Sequence, residues 1–148
     1  LWEIRKIKEL VAACKKELAA EKLSYGDPVL GIMIETPAAV MIAPELAKEV
    51  SFFSIGTNDL AQYTLALDRN NAQLLPFYDA HHPALLRMLD MTVQAAHSQG
   101  IPVCVCGEAG ADLSLTQTFL SKGVDSLSVA PGSVLPLRKH IRSLSLSD

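Results

Sequence analysis

The chain alternates between segments with helical periodicity and short segments that are continuously apolar. In the first segment, apolar residues recur every three or four positions among lysines and glutamates, which predicts an amphipathic helix ending near Leu23. The residues expected on its apolar side are Ile4, Ile7, Val11, Cys14 and Leu18. Helical segments separate the short apolar runs, which cover residues 29–34, 51–56, 101–106 and 126–129. Such runs are typical of strands covered on both faces, so the order predicts an α/β protein with a parallel sheet.

Local signals predict where several helices begin. Thr36 and Pro37 have the form of an N-cap followed by a first-turn proline, which predicts one helix continuing to residue 47 or 49. Residues 57–59 are predicted as a polar turn before the next helix. The last helix is predicted over residues 135–143.

Two architectures fit this order of elements. One is a complete doubly wound sheet, and the other is one half of a (β/α)₈ barrel. The pattern alone slightly favours the doubly wound sheet, because an open sheet of four strands can stand alone. In both architectures chemistry gathers beyond the carboxyl ends of the strands. The residues that follow the strands are therefore the candidates for function.

Composition narrows the class of protein. Of 148 residues, 49% are apolar and 20% are charged, which is typical of a globular domain and excludes a disordered chain. The formal net charge of −3 provides no basic footprint for nucleic acid. No apolar run reaches the roughly 18–20 residues that a membrane-spanning helix needs. Three cysteines are an odd number at low density, so we expect a reducing compartment and a cytoplasmic protein.

Polar side chains follow three of the predicted strands. Glu35 comes directly after the first strand, Asn58 and Asp59 follow the second, and Cys106 and Glu108 close the third. Because the carboxyl ends of parallel strands meet at one edge, we expect these side chains to converge. Carboxylate and amide oxygens suit a hard divalent cation such as Mg²⁺, which takes one or two carboxylates plus water and substrate oxygens.

Arg69 is close enough in the chain to fold back over such a site. Its planar guanidinium suits phosphate or carboxylate. Each candidate also has an ordinary structural explanation: Glu35 as a charge in the first turn of a helix, Asn58 and Asp59 as turn residues, Cys106 as a small core residue, and Arg69 as half of an exposed ion pair with its neighbour in the chain. Spacing alone leaves these alternatives open.

Three segments together resemble successive signatures of the phosphoenolpyruvate-utilising enzymes. They are residues 31–39 (GIMIETPAA), residues 52–71 (FFSIGTNDLAQYTLALDRNN) and residues 106–108 (CGE). The resemblance covers essentially the whole chain and is closest to Enzyme I of the phosphoenolpyruvate:sugar phosphotransferase system. Tyr63 and the LDRNN ending are more similar to Enzyme I than to pyruvate phosphate dikinase or phosphoenolpyruvate synthase.

The resemblance implies a fold and a set of site residues. It implies that residues 1–148 are the C-terminal half of a (β/α)₈ TIM-barrel domain. The resemblance therefore favours the half-barrel over the doubly wound sheet. Glu35 and Asp59 match the Mg²⁺ ligands of the family, and Asn58 and Arg69 match residues that hold the phosphate of phosphoenolpyruvate. Cys106 matches the acid that protonates the methylene carbon as enolpyruvate becomes pyruvate. A thiol, with an ordinary pKa of about 8.5, is mostly protonated at neutral pH and can donate.

The resemblance also implies partners. In the family the phosphoryl group passes to a histidine on a separate N-terminal domain, then to the phosphocarrier HPr, and the barrel domain forms a homodimer. The chain begins without Met, as if partway through a helix, and its mean hydropathy of +0.24 is high for its length. We therefore expect a fragment that binds Mg²⁺ and phosphoenolpyruvate weakly, transfers nothing alone, and self-associates because a half-barrel exposes an apolar inner face.

Two departures from the family pattern lie beside Cys106. The glycine that follows the CGE segment stands one position away from its usual place, in residues 109–112. Cys104 is a second thiol where the family usually carries another residue. Two other functions stay open: a fragment of a dikinase or synthase, which would need a nucleotide-binding domain upstream, and a non-catalytic module that serves assembly.

Overall fold

The structure, a computed structural model, describes residues 1–145. Its strands are β1 (Ile32–Ile34), β2 (Phe53–Gly56), β3 (Val103–Cys106) and β4 (Ser126–Leu127). Its α-helices are α1 (Trp2–Ala20), α2 (Pro37–Met41), α3 (Ala43–Ala47), α4 (Thr57–Leu65), α5 (Pro83–Ser98), α6 (Leu113–Ser121) and α7 (Pro131–Ser143). Short 3₁₀ turns form at Leu75–Phe77 and Glu108–Ala111. All four predicted strands are present, and each is shorter than its apolar run.

The strands lie side by side in the order in which they occur along the chain. Each neighbouring pair is parallel, and the order across the sheet is β1-β2-β3-β4. In a doubly wound sheet the strand order reverses at a switch point, whereas successive strands of a barrel are always neighbours. The order here has no reversal, so the preference for a doubly wound sheet is wrong. The chain has the α/β architecture of a half-barrel.

The two faces of the sheet have different surroundings, because successive side chains of a strand point to opposite faces. The side chains that are at most 1% exposed form the covered face, which consists of Ile34, Phe53, Ile55, Val103 and Val105. The half-buried or exposed side chains form the uncovered face, which consists of Met33, Ser54, Cys104, Cys106 and Ser126.

The hydrophobic core lies between the covered face and the helices. Leu46 of α3, Leu60 of α4, Leu89 of α5 and Phe119 of α6 pack into one cluster with the covered face. Full burial of a side chain of this size contributes about 1.5–3 kcal/mol. The uncovered face carries mainly hydroxyls and thiols, with Met33 as its one large apolar side chain. The expectation of an apolar inner face is therefore wrong, and self-association stays a prediction.

Three helix boundaries differ from the prediction. The segment after β1 forms two five-residue helices, α2 and α3, that meet at Ile42. Pro44 explains the break, because it has no N–H to donate to the carbonyl of Val40 and its ring crowds that turn. Helix α4 begins at Thr57, so the predicted polar turn is the first turn of this helix. Helix α7 begins at Pro131, earlier than predicted.

Helix α1 packs less closely than its pattern predicts. Ile4 is its buried residue, while Ile7 and Cys14 are exposed although both were expected on the buried side. Within residues 1–145, no helix is both long enough and apolar enough to cross a membrane.

Candidate functional site

The side chain of Glu35 lies over the carboxyl end of β2. A Cβ atom placed on Gly56 would lie 2.9 Å from Glu35 Cβ and 3.0 Å from Glu35 Oε2. The bare backbone of Gly56 therefore provides the space that the Glu35 side chain occupies. Since α4 begins at the next residue, Asp59 stands in its first turn, where the helix dipole favours a negative charge. Both predicted carboxylates are thus at the same end of the sheet.

Arg69 folds back onto Asp59, as its place in the sequence predicted. Helix α4 ends at Leu65, and the next residue, Ala66, lies in the left-handed region with a φ of 54°, which reverses the direction of the chain. The Arg69 N–H then donates to Gln62 Oε1 at 3.2 Å, and Arg69 Nη2 lies 3.4 Å from Asp59 Oδ1. Asp68, the alternative partner, instead accepts from a backbone N–H two residues on. The structure therefore does not contain the alternative ion pair between Arg69 and its chain neighbour Asp68.

The amide of Asn58 is held by the loop that follows β3. Asn58 Oδ1 accepts a hydrogen bond from the Glu108 N–H at 3.2 Å, which leaves the Asn58 NH₂ group free to donate to an anion. Gly107 allows this approach. Its φ is +89°, and a Cβ atom there would lie 2.6 Å from Thr57 Oγ1 and 3.1 Å from Asn58 Oδ1.

Cys106 ends β3 on the uncovered face. Its thiol donates to the Ile55 carbonyl at 3.3 Å and accepts from Ser54 Oγ at 3.4 Å. The Thr57 hydroxyl donates to the Cys106 carbonyl at 2.7 Å and ties the end of β3 to the start of α4. Cys106 is half-buried, and these two hydrogen bonds orient its sulfur.

Two concave surfaces meet at this edge of the sheet, and Asn58 and Glu108 belong to both. The residues that line the first are Asn58, Arg69, Asn70, Leu75, Tyr78 and Glu108. The residues that line the second are Asn58, Cys106, Gly107, Glu108, Ala111, Ser128, Val129 and Ala130. The Asn58 amide therefore lies between the Arg69 side of the site and the Cys106 side.

Tyr78 is a residue of this site that the sequence analysis missed. Burial raises the pKa of the Tyr78 phenol, the nearby Glu108 carboxylate adds to the rise, and the positive charge of Arg69 opposes it. Its hydroxyl therefore stays protonated at neutral pH. In the sequence, Tyr78 is only an aromatic residue between Arg69 and the start of α5. An aromatic residue there is equally typical of a core, so the sequence does not identify Tyr78 as a site residue.

The donors at this edge fit a magnesium ion that binds together with a substrate. No group of three or more His, Cys, Asp and Glu side chains that could hold a metal occurs within residues 1–145. Glu35 and Asp59 supply two carboxylates, and Mg²⁺ characteristically completes such a set with water and phosphate oxygens. The Gly56 gap that admits Glu35 places one of these carboxylates against the end of β2.

The chain is similar to known proteins over nearly its whole length. A family model described as the PEP-binding domain of PEP-utilising enzymes matches residues 1–146. The chain is 41% identical over 147 residues to the phosphoenolpyruvate-protein phosphotransferase of Priestia megaterium and 40% identical over 147 residues to that of Haemophilus influenzae. Each alignment covers 99% of this chain and 26% of the relative. The Streptococcus equinus protein of the same name is 41% identical over 145 residues, covering 97% of this chain and 25% of the relative.

The chain thus spans about a quarter of the length of these relatives. The family match extends over nearly every residue, including the three strand ends that carry Glu35, Asn58 and Cys106. Sequence identity of about 40% over almost all of the chain agrees with it. The chain therefore belongs to the phosphoenolpyruvate-utilising enzymes and corresponds to their phosphoenolpyruvate-binding domain.

Proposed function

We propose that this chain is the phosphoenolpyruvate-binding part of a phosphoenolpyruvate-protein phosphotransferase, or Enzyme I. In this proposal the phosphoryl group passes to a histidine outside this chain and then to the carrier HPr, and pyruvate is released. The observation that carries the proposal is the position of the Asn58 amide on both concave surfaces, between Arg69 and Cys106. The names of the relatives support the same reaction class.

Asn58 and Arg69 would hold the phosphate of the substrate. Phosphoryl transfer asks a protein mainly for positioning and for neutralisation of charge. The contact between Asn58 Oδ1 and the Glu108 N–H directs the amide donors outward, and the ion pair with Asp59 orients the Arg69 guanidinium before substrate arrives. Donors that are oriented in advance lose less freedom when the anion binds.

Cys106 would supply the proton that converts enolpyruvate to pyruvate. The electron pair of the carbon–carbon double bond forms a new C–H bond with the thiol proton, and the enolate oxygen becomes the ketone oxygen. The sulfur is left as a thiolate, which the Ser54 hydroxyl already faces as a donor at 3.4 Å. Ser54 therefore stabilises the charge that this step creates, since hydrogen bonds to charged acceptors are stronger than neutral ones.

Glu35 and Asp59 would hold Mg²⁺ in this proposal. When bound, the ion would supply positive charge that neutralises the negative charge of the substrate oxygens. The ion pair with Arg69 is formed through Asp59 Oδ1, and the second oxygen of that carboxylate would serve as a ligand.

We also propose a cytoplasmic location and a homo-oligomeric state. Cys14, Cys104 and Cys106 are free cysteines, as expected in a reducing compartment. Within residues 1–145, β1 and β4 are edge strands with one strand neighbour each, which supports association through further strands.

The proposal is tested by titrating the chain with phosphoenolpyruvate in the presence of Mg²⁺ and measuring binding by calorimetry. We expect weak binding, with a dissociation constant on the order of 1 mM, because this chain is titrated without the ligands that the rest of the enzyme would contribute. Replacing Arg69 by Gln weakens binding about tenfold, since a hydrogen bond to a charged group is lost. The matched control is Arg87→Gln, because Arg87 is an exposed residue of α5 that lines neither concave surface. Equal affinities of the two variants would contradict the proposed role of Arg69.

A further inference from the structure

Hydrogen bonds hold the backbone on both sides of Tyr78. Its N–H donates to the Leu75 carbonyl at 3.0 Å, which closes the 3₁₀ turn before it. The next residue, Asp79, accepts from the His81 N–H at 2.8 Å through Oδ1 and so forms an Asx turn. Tyr78 is thus held between two hydrogen-bonded turns, although the segment between α4 and α5 is long.

The half-buried side chain of Tyr78 lines an apolar cavity. This cavity lies below the first concave surface, between α4 and α5, and Tyr78 lines both. Leu60, Leu85 and Leu89 line the cavity around it, and Leu89 is 3% exposed. A ring packed in this way loses little further freedom when its hydroxyl makes a contact.

The polar end of the same side chain faces charged groups of the candidate site. Asn58, Arg69 and Glu108 line the first concave surface together with Tyr78. Burial and the Glu108 carboxylate raise the pKa of the phenol, so it carries its proton over the whole neutral range. The hydroxyl is therefore a neutral donor beside a guanidinium and an amide that both suit an anion.

We propose that the Tyr78 hydroxyl is a third protein donor to an anionic oxygen of bound phosphoenolpyruvate, alongside Asn58 and Arg69. The inference rests on the proposed function and adds a substrate-binding residue to it. Tyr78 lines both the apolar cavity and the first concave surface. Its hydroxyl would therefore limit how closely the substrate approaches the apolar cavity. A substrate phosphate and a substrate carboxylate both offer the oxygen that such a donor needs, so separate probes distinguish them.

The first test compares Tyr78→Phe with Tyr63→Phe. The Tyr78→Phe substitution keeps the ring in the apolar cavity and removes only the hydroxyl, and Tyr63 is a control because it is 58% exposed on α4. We expect phosphoenolpyruvate to bind Tyr78→Phe about tenfold more weakly, the loss typical of one hydrogen bond to a charged group. Binding by Tyr63→Phe stays within about twofold of the unsubstituted chain, and thermal melting by circular dichroism is the same for all three proteins.

The second test observes the hydroxyl directly. The tyrosine ring carbons are labelled with ¹³C, and the resonance of the carbon that bears the hydroxyl is followed during separate additions of inorganic phosphate and of pyruvate. We expect the Tyr78 signal to shift with one of these probes while the Tyr63 and Tyr25 signals stay in place. Phosphate is the contacted group if the phosphate addition moves it, and the carboxylate is the contacted group if pyruvate does.

The outcomes separate this inference from the proposed function. Failure of the unsubstituted chain to bind phosphoenolpyruvate overturns both. Binding that Tyr78→Phe leaves unchanged overturns the role of Tyr78 alone. A loss of affinity in Tyr78→Phe without any shift of the Tyr78 signal on addition of either probe also overturns it, because the substitution then acts through the fold rather than through a contact.

Discussion

The covered and uncovered faces of the sheet are built by the same strands and serve different purposes. On β3, Val103 and Val105 are completely buried, while Cys104 and Cys106, which alternate with them, are half-buried. The buried residues are branched and apolar and pack against helices. The others are small and able to form hydrogen bonds. A single strand of four residues therefore contributes to the core through one face and, on the other, carries the thiol for which we propose a chemical role.

The difference follows from what each face contacts. The covered face packs with helix side chains into one buried hydrophobic cluster, and clusters of this kind in protein interiors are close-packed. The uncovered face instead leaves space for polar groups to reach the strand ends. Gly56 is the clearest example, since its missing side chain is replaced by that of Glu35. Substitutions on the covered face should therefore mainly lower the free energy of unfolding. Substitutions at the strand ends of the uncovered face should have smaller effects on stability and should also change ligand binding.

The largest effect is expected from the covered face. Replacing Phe53, which is 0% exposed, by Ala creates a cavity and should lower the free energy of unfolding by about 3–5 kcal/mol. Urea denaturation followed by circular dichroism measures the change. Phe77→Ala is the matched control, because Phe77 is 70% exposed and its loss should cost at most about 0.5 kcal/mol. Similar losses in the two variants would show that the covered face is not the main core.

A smaller effect is expected where the uncovered face is crowded. The Gly56→Ala substitution adds a Cβ atom 2.9 Å from Glu35 Cβ and 3.0 Å from Met33 Sδ, so neighbouring groups must move. The free energy of unfolding should fall by about 1–3 kcal/mol, the usual cost of overpacking. Glu35 should also be displaced, so that Mg²⁺ strengthens phosphoenolpyruvate binding less than in the unsubstituted chain.

The control for this substitution is Gly26→Ala. A Cβ atom on Gly26 would meet no atom within 4 Å, and its φ is not in the left-handed region. Its stability should be unchanged or slightly higher, because alanine restricts the unfolded chain. If Gly56→Ala is as well tolerated as Gly26→Ala, the Glu35 side chain does not depend on the space above Gly56.

The strands and their ends could be predicted because their signals are local. Two apolar runs are followed within two residues by a polar residue at the sheet edge, Glu35 after residues 29–34 and Asn58 after residues 51–56, and Cys106 is the last residue of the run over residues 101–106. The difference between the faces was missed. The apolar run over residues 51–56 predicts a strand buried on both sides, although Ser54 interrupts it at the alternate position.

The remaining features depend on contacts between distant parts of the chain. Ala66 has no sequence signal for the left-handed region, where glycine is usual, yet its conformation returns Arg69 to Asp59. Tyr78 is placed at the site by the fold, which brings it to the apolar cavity between α4 and α5. The strand order needed the pairing of residues that are 21 to 50 positions apart, such as Ile32 with Phe53 and Phe53 with Val103. Periodicity carries no information of that kind.

The smallest effect is expected from Cys104, on the uncovered face away from the strand ends. Its sulfur makes only a weak contact of 3.6 Å with the Val105 carbonyl, so Cys104→Ser should change the free energy of unfolding by less than about 0.5 kcal/mol. The neighbouring substitution Val105→Ser, on the covered face of the same strand, places a hydroxyl in the core and should cost about 2 kcal/mol or more. Urea denaturation of the two variants compares the faces at adjacent positions. A cost for Cys104→Ser equal to that for Val105→Ser would mean that both faces are packed in solution, as they would be if a second copy of the chain covered the sheet.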